Sequence, residues 1–135
     1  MIFMKRIDWL DIDTGEAFVL LSDGVIDLYC FADHLPSERK DGDAFSGEIF
    51  EFEAGFAKSQ FDNQKKSHAE LIQKTDHPYN LFGVIDNDWN LRVGEFVIDM
   101  PDEMFEDYQI GEYVVVDVPR LDMEFWIQTV LIQTS

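Results

Sequence analysis

The chain has 135 residues, of which 46% are hydrophobic, with twelve Phe, four Tyr and three Trp. That supplies a core for one domain and excludes the disorder of acidic chains poor in aromatic residues. A formal net charge of −18, from 28 Asp and Glu against 10 Lys and Arg, argues against non-specific binding to nucleic acid or anionic membranes, which draws on cations displacing counterions.

Met1 to Asp13 carry Lys5 and Arg6 with no apolar run after them, only Ile7-Asp8-Trp9-Leu10-Asp11. No signal peptide is expected, and no run approaches membrane-spanning length. Glu16 to Ser22 is rich in strand formers, and Asp23-Gly24 fits a tight turn with positive φ. Val25 to Ala32 follows. Ile26, Leu28, Cys30 and Ala32 share one face, and Asp27, Tyr29, Phe31 and Asp33 the other. Residues 16 to 32 therefore read as a β-hairpin.

Residues 33–43 read as a polar loop. Ala44 to Ala54 reads as a strand, because Phe50 and Phe52 alternate with Glu51 and Glu53. Gly47 inside it predicts a bulge or a sharp corner. The locally basic stretch after it, with Lys58, Lys65, Lys66 and Lys74, predicts a short helix from about Gln64 to Lys74. His77-Pro78 ends it, since the residue before a proline disfavours the α region.

Pro78 to Ile85 and Arg92 to Met100 read as strands around an Asp86-Asn87-Asp88 turn. Pro101 to Asp107 has the leading proline and acidic first turn of a short helix. Tyr113 to Val118 reads as a strand ended by Pro119, and Phe125 to Ile132 as a last strand. The expected fold is one mainly β domain over 1–135. It is a small antiparallel barrel or sandwich of about seven strands with one or two short helices. Apolar residues on parts of both strand faces suit a curved barrel or a homodimer interface equally.

The chemical motifs are thin. Asp13-Thr14-Gly15 matches the core tripeptide of aspartic proteases, but Asp11 and Glu16 beside it would upset a shared-proton pair; a turn is the expectation. Asp86-x-Asp88-x-Asn90 resembles the opening of a calcium loop, yet Leu91 and Val97 stand where Gly and Glu are needed. His34, His68 and His77 lack zinc-type spacing. Cys30, the single cysteine, lies on an apolar face and reads as a core residue. No cofactor, metal site or catalytic set is expected. The alternative to a binding protein is a small enzyme or ligand-binding barrel, with Cys30, His34 and His77 as its most obvious groups.

Charge is distributed unevenly. From Glu95 to Glu124 stand Glu95, Asp99, Asp102, Glu103, Glu106, Asp107, Glu112, Asp117, Asp122 and Glu124, opposed only by Arg120. Phe105, Tyr108 and Tyr113 interleave with the densest part. Aromatic anchors among carboxylates suit a protein interface: rings give buried contact, charges give rate and specificity. Phe105 is expected inward and Tyr108 at the surface. The candidate partner-binding residues are Asp102, Glu103, Glu106, Asp107, Tyr108 and Glu112, with Trp89 in the polar turn.

The order of elements carries a resemblance. Glu16–Ser22, Asp23-Gly24 and Val25–Asp33 lead through Gly42-Asp43 into an aromatic strand. Gly111-Glu112-Tyr113 later opens a strand running into Pro119-Arg120-Leu121-Asp122. This resembles small OB-like or SH3-like β-barrel proteins of bacteria, among them immunity proteins of polymorphic toxin and contact-dependent inhibition systems. The resemblance implies a cytoplasmic inhibitor that binds a basic toxin domain, a nuclease in many cases. OB-like barrels that bind nucleic acid use basic grooves, and the acidity here points to a protein partner instead.

Overall fold

The computed structural model describes residues 1–60, 66–71 and 79–126. Within them the chain forms eleven strands and no helix. The mainly β expectation holds, and no helix there is long and apolar enough to cross a membrane.

Strands β1 (Phe3–Asp11), β2 (Glu16–Ser22) and β3 (Asp27–Ala32) form an antiparallel meander. The β2–β3 hairpin follows its sequence pattern. Ala17, Val19 and Leu21 pair with Ala32, Cys30 and Leu28, and all six are buried. Its turn is longer than a two-residue one. Asp23 Oδ1 accepts the N–H of Val25 at 2.9 Å and of Ile26 at 2.7 Å, which draws Val25 out of the strand and leaves it 90% exposed. Strand β1 had no expected counterpart, because Arg6, Asp8 and Asp11 interrupt its apolar residues.

Strand β4 (Gly47–Phe52) begins at the glycine, within the span expected from Ala44. A Cβ on Gly47 would collide with the backbone carbonyl of Glu124. The glycine thus serves a close approach between two paired strands. Next come β5 (Ala57–Ser59) and β6 (His68–Leu71). The helix expected from Gln64 to Lys74 is corrected at its centre. Residues 68–71 pair with β7 (Tyr79–Ile85), Ala69 against Leu81, and Lys66 Nζ lies 4.5 Å from the Phe82 ring centre. A free strand edge outweighed helix propensity here. Lys66 and Ser67 are not helical either, and residues 64–65 and 72–74 of that expected helix, with Pro78, lie outside the described residues.

The strand expected over Arg92–Met100 is a hairpin, β8 (Leu91–Val93) and β9 (Phe96–Asp99), reversing at Gly94-Glu95, where Gly94 has φ +60°. The helix expected over Pro101–Asp107 is a succession of turns. Met104 N–H donates to Pro101 O at 3.0 Å and Tyr108 N–H to Phe105 O at 2.9 Å, both three residues apart. Strand β10 (Tyr113–Val118) ends before Pro119 as expected. The final strand, β11 (Arg120–Phe125), starts directly after that proline; residues 127–132 of the expected last strand lie outside the described residues.

All eleven strands join one mixed sheet, ordered β1-β2-β3-β11-β4-β9-β8-β7-β10-β5, with β6 beside β7. Two neighbouring pairs, β3 with β11 and β4 with β9, are parallel, so the sheet is not purely antiparallel. Among the described residues no pairing joins β1 to β5, so the sheet is not closed, and it has eleven strands where about seven were expected. The sheet turns back on itself over one core, to which Met4, Leu21 and Leu28 contribute from one end and Leu81, Leu91, Phe96 and Val116 from the other.

Candidate functional site

The acidic segment and the Trp89 turn are neighbours in space. Asp86 organises the turn between β7 and β8. Its Oδ1 accepts the N–H of Asp88 at 2.9 Å and of Asn90 at 3.0 Å, and its own N–H donates to Asn90 O at 2.9 Å. The Asp-x-Asp-x-Asn pattern therefore builds a self-bonded turn. Trp89, at its tip, adopts φ +62°, a left-handed conformation uncommon for any residue with a side chain of this size. It is 46% exposed.

Two sets of bonds tie the acidic loop, residues 100–112, to this turn. At its start, Asn90 Oδ1 accepts the Met100 N–H at 3.3 Å. At its end, Gly111 N–H donates to Ile85 O at 2.8 Å and Ile85 N–H to Glu112 O at 3.0 Å. Phe105 anchors the middle of the loop and is 2% exposed, as expected of it.

The candidate residues then divide. Tyr108 is half-buried, and its hydroxyl donates to Ala57 O on β5 at 2.8 Å. Glu112 accepts the Ser59 hydroxyl at 3.1 Å and the Gln109 N–H at 3.2 Å. Both side chains hold the loop in place. Asp102, Glu103, Glu106 and Asp107 are exposed, and among the described residues none of them has a basic partner. Elsewhere in the acidic stretch Asp122 is bound by Arg120, at 2.7 and 3.1 Å. Among the described residues Asp99, Asp117 and Glu124 have no basic partner either, but Asp102, Glu103, Glu106 and Asp107 are the exposed unpaired acids that stand together on one loop. Trp89, Asp102, Phe105 and Glu106 together line a shallow cavity of about 330 Å³.

Sequence reasoning named Trp89 and the acidic residues separately and missed what joins them. Asn90 was visible only as part of a failed calcium pattern, and Met100 as an apolar strand residue. A polar side chain at the end of an Asx-type turn is the one sequence signal that pointed to such a staple.

Of the groups of the alternative reading, Cys30 and His34 are described. Cys30 is fully buried, and burial, helped by the charge of Asp122, pushes its thiol far above the ordinary range; the nucleophilic thiolate is disfavoured there. His34 is exposed, with Nδ1 3.0 Å from Asp33. His77 lies outside the described residues. Asp13-Thr14-Gly15 forms a turn in which Gly15 N–H donates to Asp11 O at 3.0 Å. Among the described residues no three His, Cys, Asp or Glu side chains converge to hold a metal ion. A larger cavity of about 410 Å³ lies between Asp33, His34, Phe50 and Glu124, close to the end of the described chain at Trp126. Compared with protein-family models, curated proteins and solved structures, the chain matches none of them.

Proposed function

We propose that this chain is an acidic protein-binding module for a basic partner, and that it acts as an immunity-type inhibitor covering a basic toxin domain. One observation carries the reading. The exposed carboxylates of Asp102, Glu103, Glu106 and Asp107 lie without basic partners among the described residues, on a loop held at both ends, beside an exposed tryptophan. A fixed loop loses little freedom on binding. Unpaired carboxylates steer a cationic protein towards it, and a ring at the centre supplies contact area. In the setting we propose, a reducing cytoplasm, the buried thiol of Cys30 stays reduced.

The resemblance to small barrels also remains part of the proposal. Strands β1, β2, β3, β11 and β4 lie side by side, and the stretch leading into β4 returns to β1. Met4 N–H donates to Asp43 O at 2.7 Å, Gly42 N–H to Met4 O at 2.6 Å, and Phe3 bridges Ala44. Such a return is what a partly open five-stranded barrel needs.

The test is capture from the native cell by the protein and by a variant carrying Asp102→Asn, Glu103→Gln, Glu106→Gln and Asp107→Asn. The expected result is a basic protein retained by the first, lost with the second and released by salt. Each charge alone contributes on the order of 0.2–1 kcal/mol, so the four must be removed together. Capture that survives the fourfold change, or ignores salt, overturns the reading.

A further inference from the structure

We infer that the cavity beside Trp89 receives one arginine side chain of the partner, its guanidinium lying against the indole and bound by Asp102 and Glu106. The inference rests on the reading of this chain as a module for a basic protein, and it names the group that the site grips.

The protein already builds this arrangement for its own arginines. The Arg120 guanidinium lies 4.2 Å from the Phe52 ring centre and 5.0 Å from that of Phe31, while Asp122 binds it through both oxygens. Arg6 lies 5.8 Å from the Tyr29 ring centre and bonds to Asp8 at 3.1 and 3.2 Å. Each of these sites joins a ring, a carboxylate and an arginine. At Trp89 the tryptophan and the acids Asp102 and Glu106 line one cavity, and no described basic group is paired with either acid. The arginine is the missing third member, and charge complementarity assigns it to the partner.

Arginine suits the site better than lysine. Its planar cation is weakly hydrated, stacks on aromatic faces and forks to a carboxylate, whereas an ammonium is a compact, strongly hydrated charge. Tryptophan is the ring that attracts cations best. Phe105, almost wholly buried, gives the cavity an apolar floor along which the methylene stem lies.

The experiment titrates the whole chain with three capped amino acids: arginine, lysine and citrulline, the last an uncharged shape-mimic of arginine. Amide and indole N–H resonances are followed by NMR, with Trp89 distinguished from Trp9 and Trp126 by Trp89→Phe. Capped arginine should shift Trp89 and residues 102–106 in the millimolar range, which corresponds to about 4 kcal/mol. Lysine should bind several-fold more weakly, and citrulline should leave the resonances unmoved. Trp89→Asn, which suits the left-handed backbone, and the pair Asp102→Asn with Glu106→Gln should each abolish the arginine shifts. Equal binding of citrulline, or arginine shifts that survive either variant, overturns the inference. A basic protein captured through the acidic loop but indifferent to Trp89→Asn would overturn this inference alone. Arginine binding without any such protein would uphold the cavity's ligand and overturn the module.

Discussion

The phenol oxygen of Tyr79 on β7 accepts the backbone N–H of Tyr29 on β3 at 2.7 Å. Along the sheet β11, β4, β9 and β8 lie between these two strands, so the bond crosses the fold and belongs to no ladder. Tyr79→Phe leaves the Tyr29 N–H without this acceptor in a largely apolar setting. The expected loss is about 1–3 kcal/mol, read from urea unfolding; an unmoved midpoint would show the bond to be dispensable.

The same pair sets the alkaline limit. Burial pushes Tyr79 up to about 12 from its ordinary 10.0, and burial together with the hydrogen bond its hydroxyl donates to Asp8 raises Tyr29. A folded value above the unfolded one means that folding favours the neutral phenol. Its contribution is complete below pH 10 and drains away as pH rises towards about 12. Tyr79→Phe should flatten the stability curve over that window, and parallel curves for the two proteins would refute the assignment.

Asp23 governs the acid side of one contact. Burial alone would raise its carboxyl, but backbone N–H groups of Ile26, Glu95 and Val25 hold it below the ordinary 3.8. Through Glu95 N–H, at 3.1 Å, it joins the β2–β3 turn to the β8–β9 turn. Since the folded value is depressed, its stabilisation is present above pH 3.8 and is lost as pH falls through the folded value. Asp23→Ala should cost on the order of 1–3 kcal/mol near neutrality, with the difference from the parent shrinking in acid. A difference that grows in acid would reverse the argument.

Gly47→Ala tests the close approach of β4 and β11. The added methyl meets the Glu124 backbone carbonyl, which belongs to a paired strand and has little room to yield. The expected destabilisation is about 1–3 kcal/mol, checked by thermal unfolding. Gly24→Ala, at φ +94° but with open space around it, separates backbone strain from collision.

Trp89 carries its own backbone cost. Trp89→Asn and Trp89→Val both remove the indole, but only asparagine tolerates φ +62° well. The asparagine variant should be the more stable of the two by about 1–2 kcal/mol. Equal midpoints would mean that the turn relaxes when the ring is gone.

Those elements whose faces alternate over a full strand could be read in one dimension. Strands β7 and β10 throughout, and the β2–β3 pair up to its turn end, set buried against half-buried residues at every second position. His68–Leu71 was misread because its short apolar run fits a helix as well as a strand, and the edge of β7 that captures it lies elsewhere in the sequence. Pro101–Asp107 was misread because its acidic first turn is also turn-forming. There the burial of Phe105 and the bond from Tyr108 to Ala57 favour successive turns.

Residue order alone established a β-rich domain, the inward faces of its longer strands, its negative field and the presence of a lone thiol in the core. It also singled out Trp89 and Asp102–Asp107. Long-range pairing chose the neighbours of each strand, brought Trp89 to one cavity with Asp102 and Glu106, and turned Tyr108 and Glu112 into struts. Alternation is a property of a few adjacent residues. Which carboxylates end up neutralised, and which ring ends up beside them, depends on registers set between strands distant along the chain.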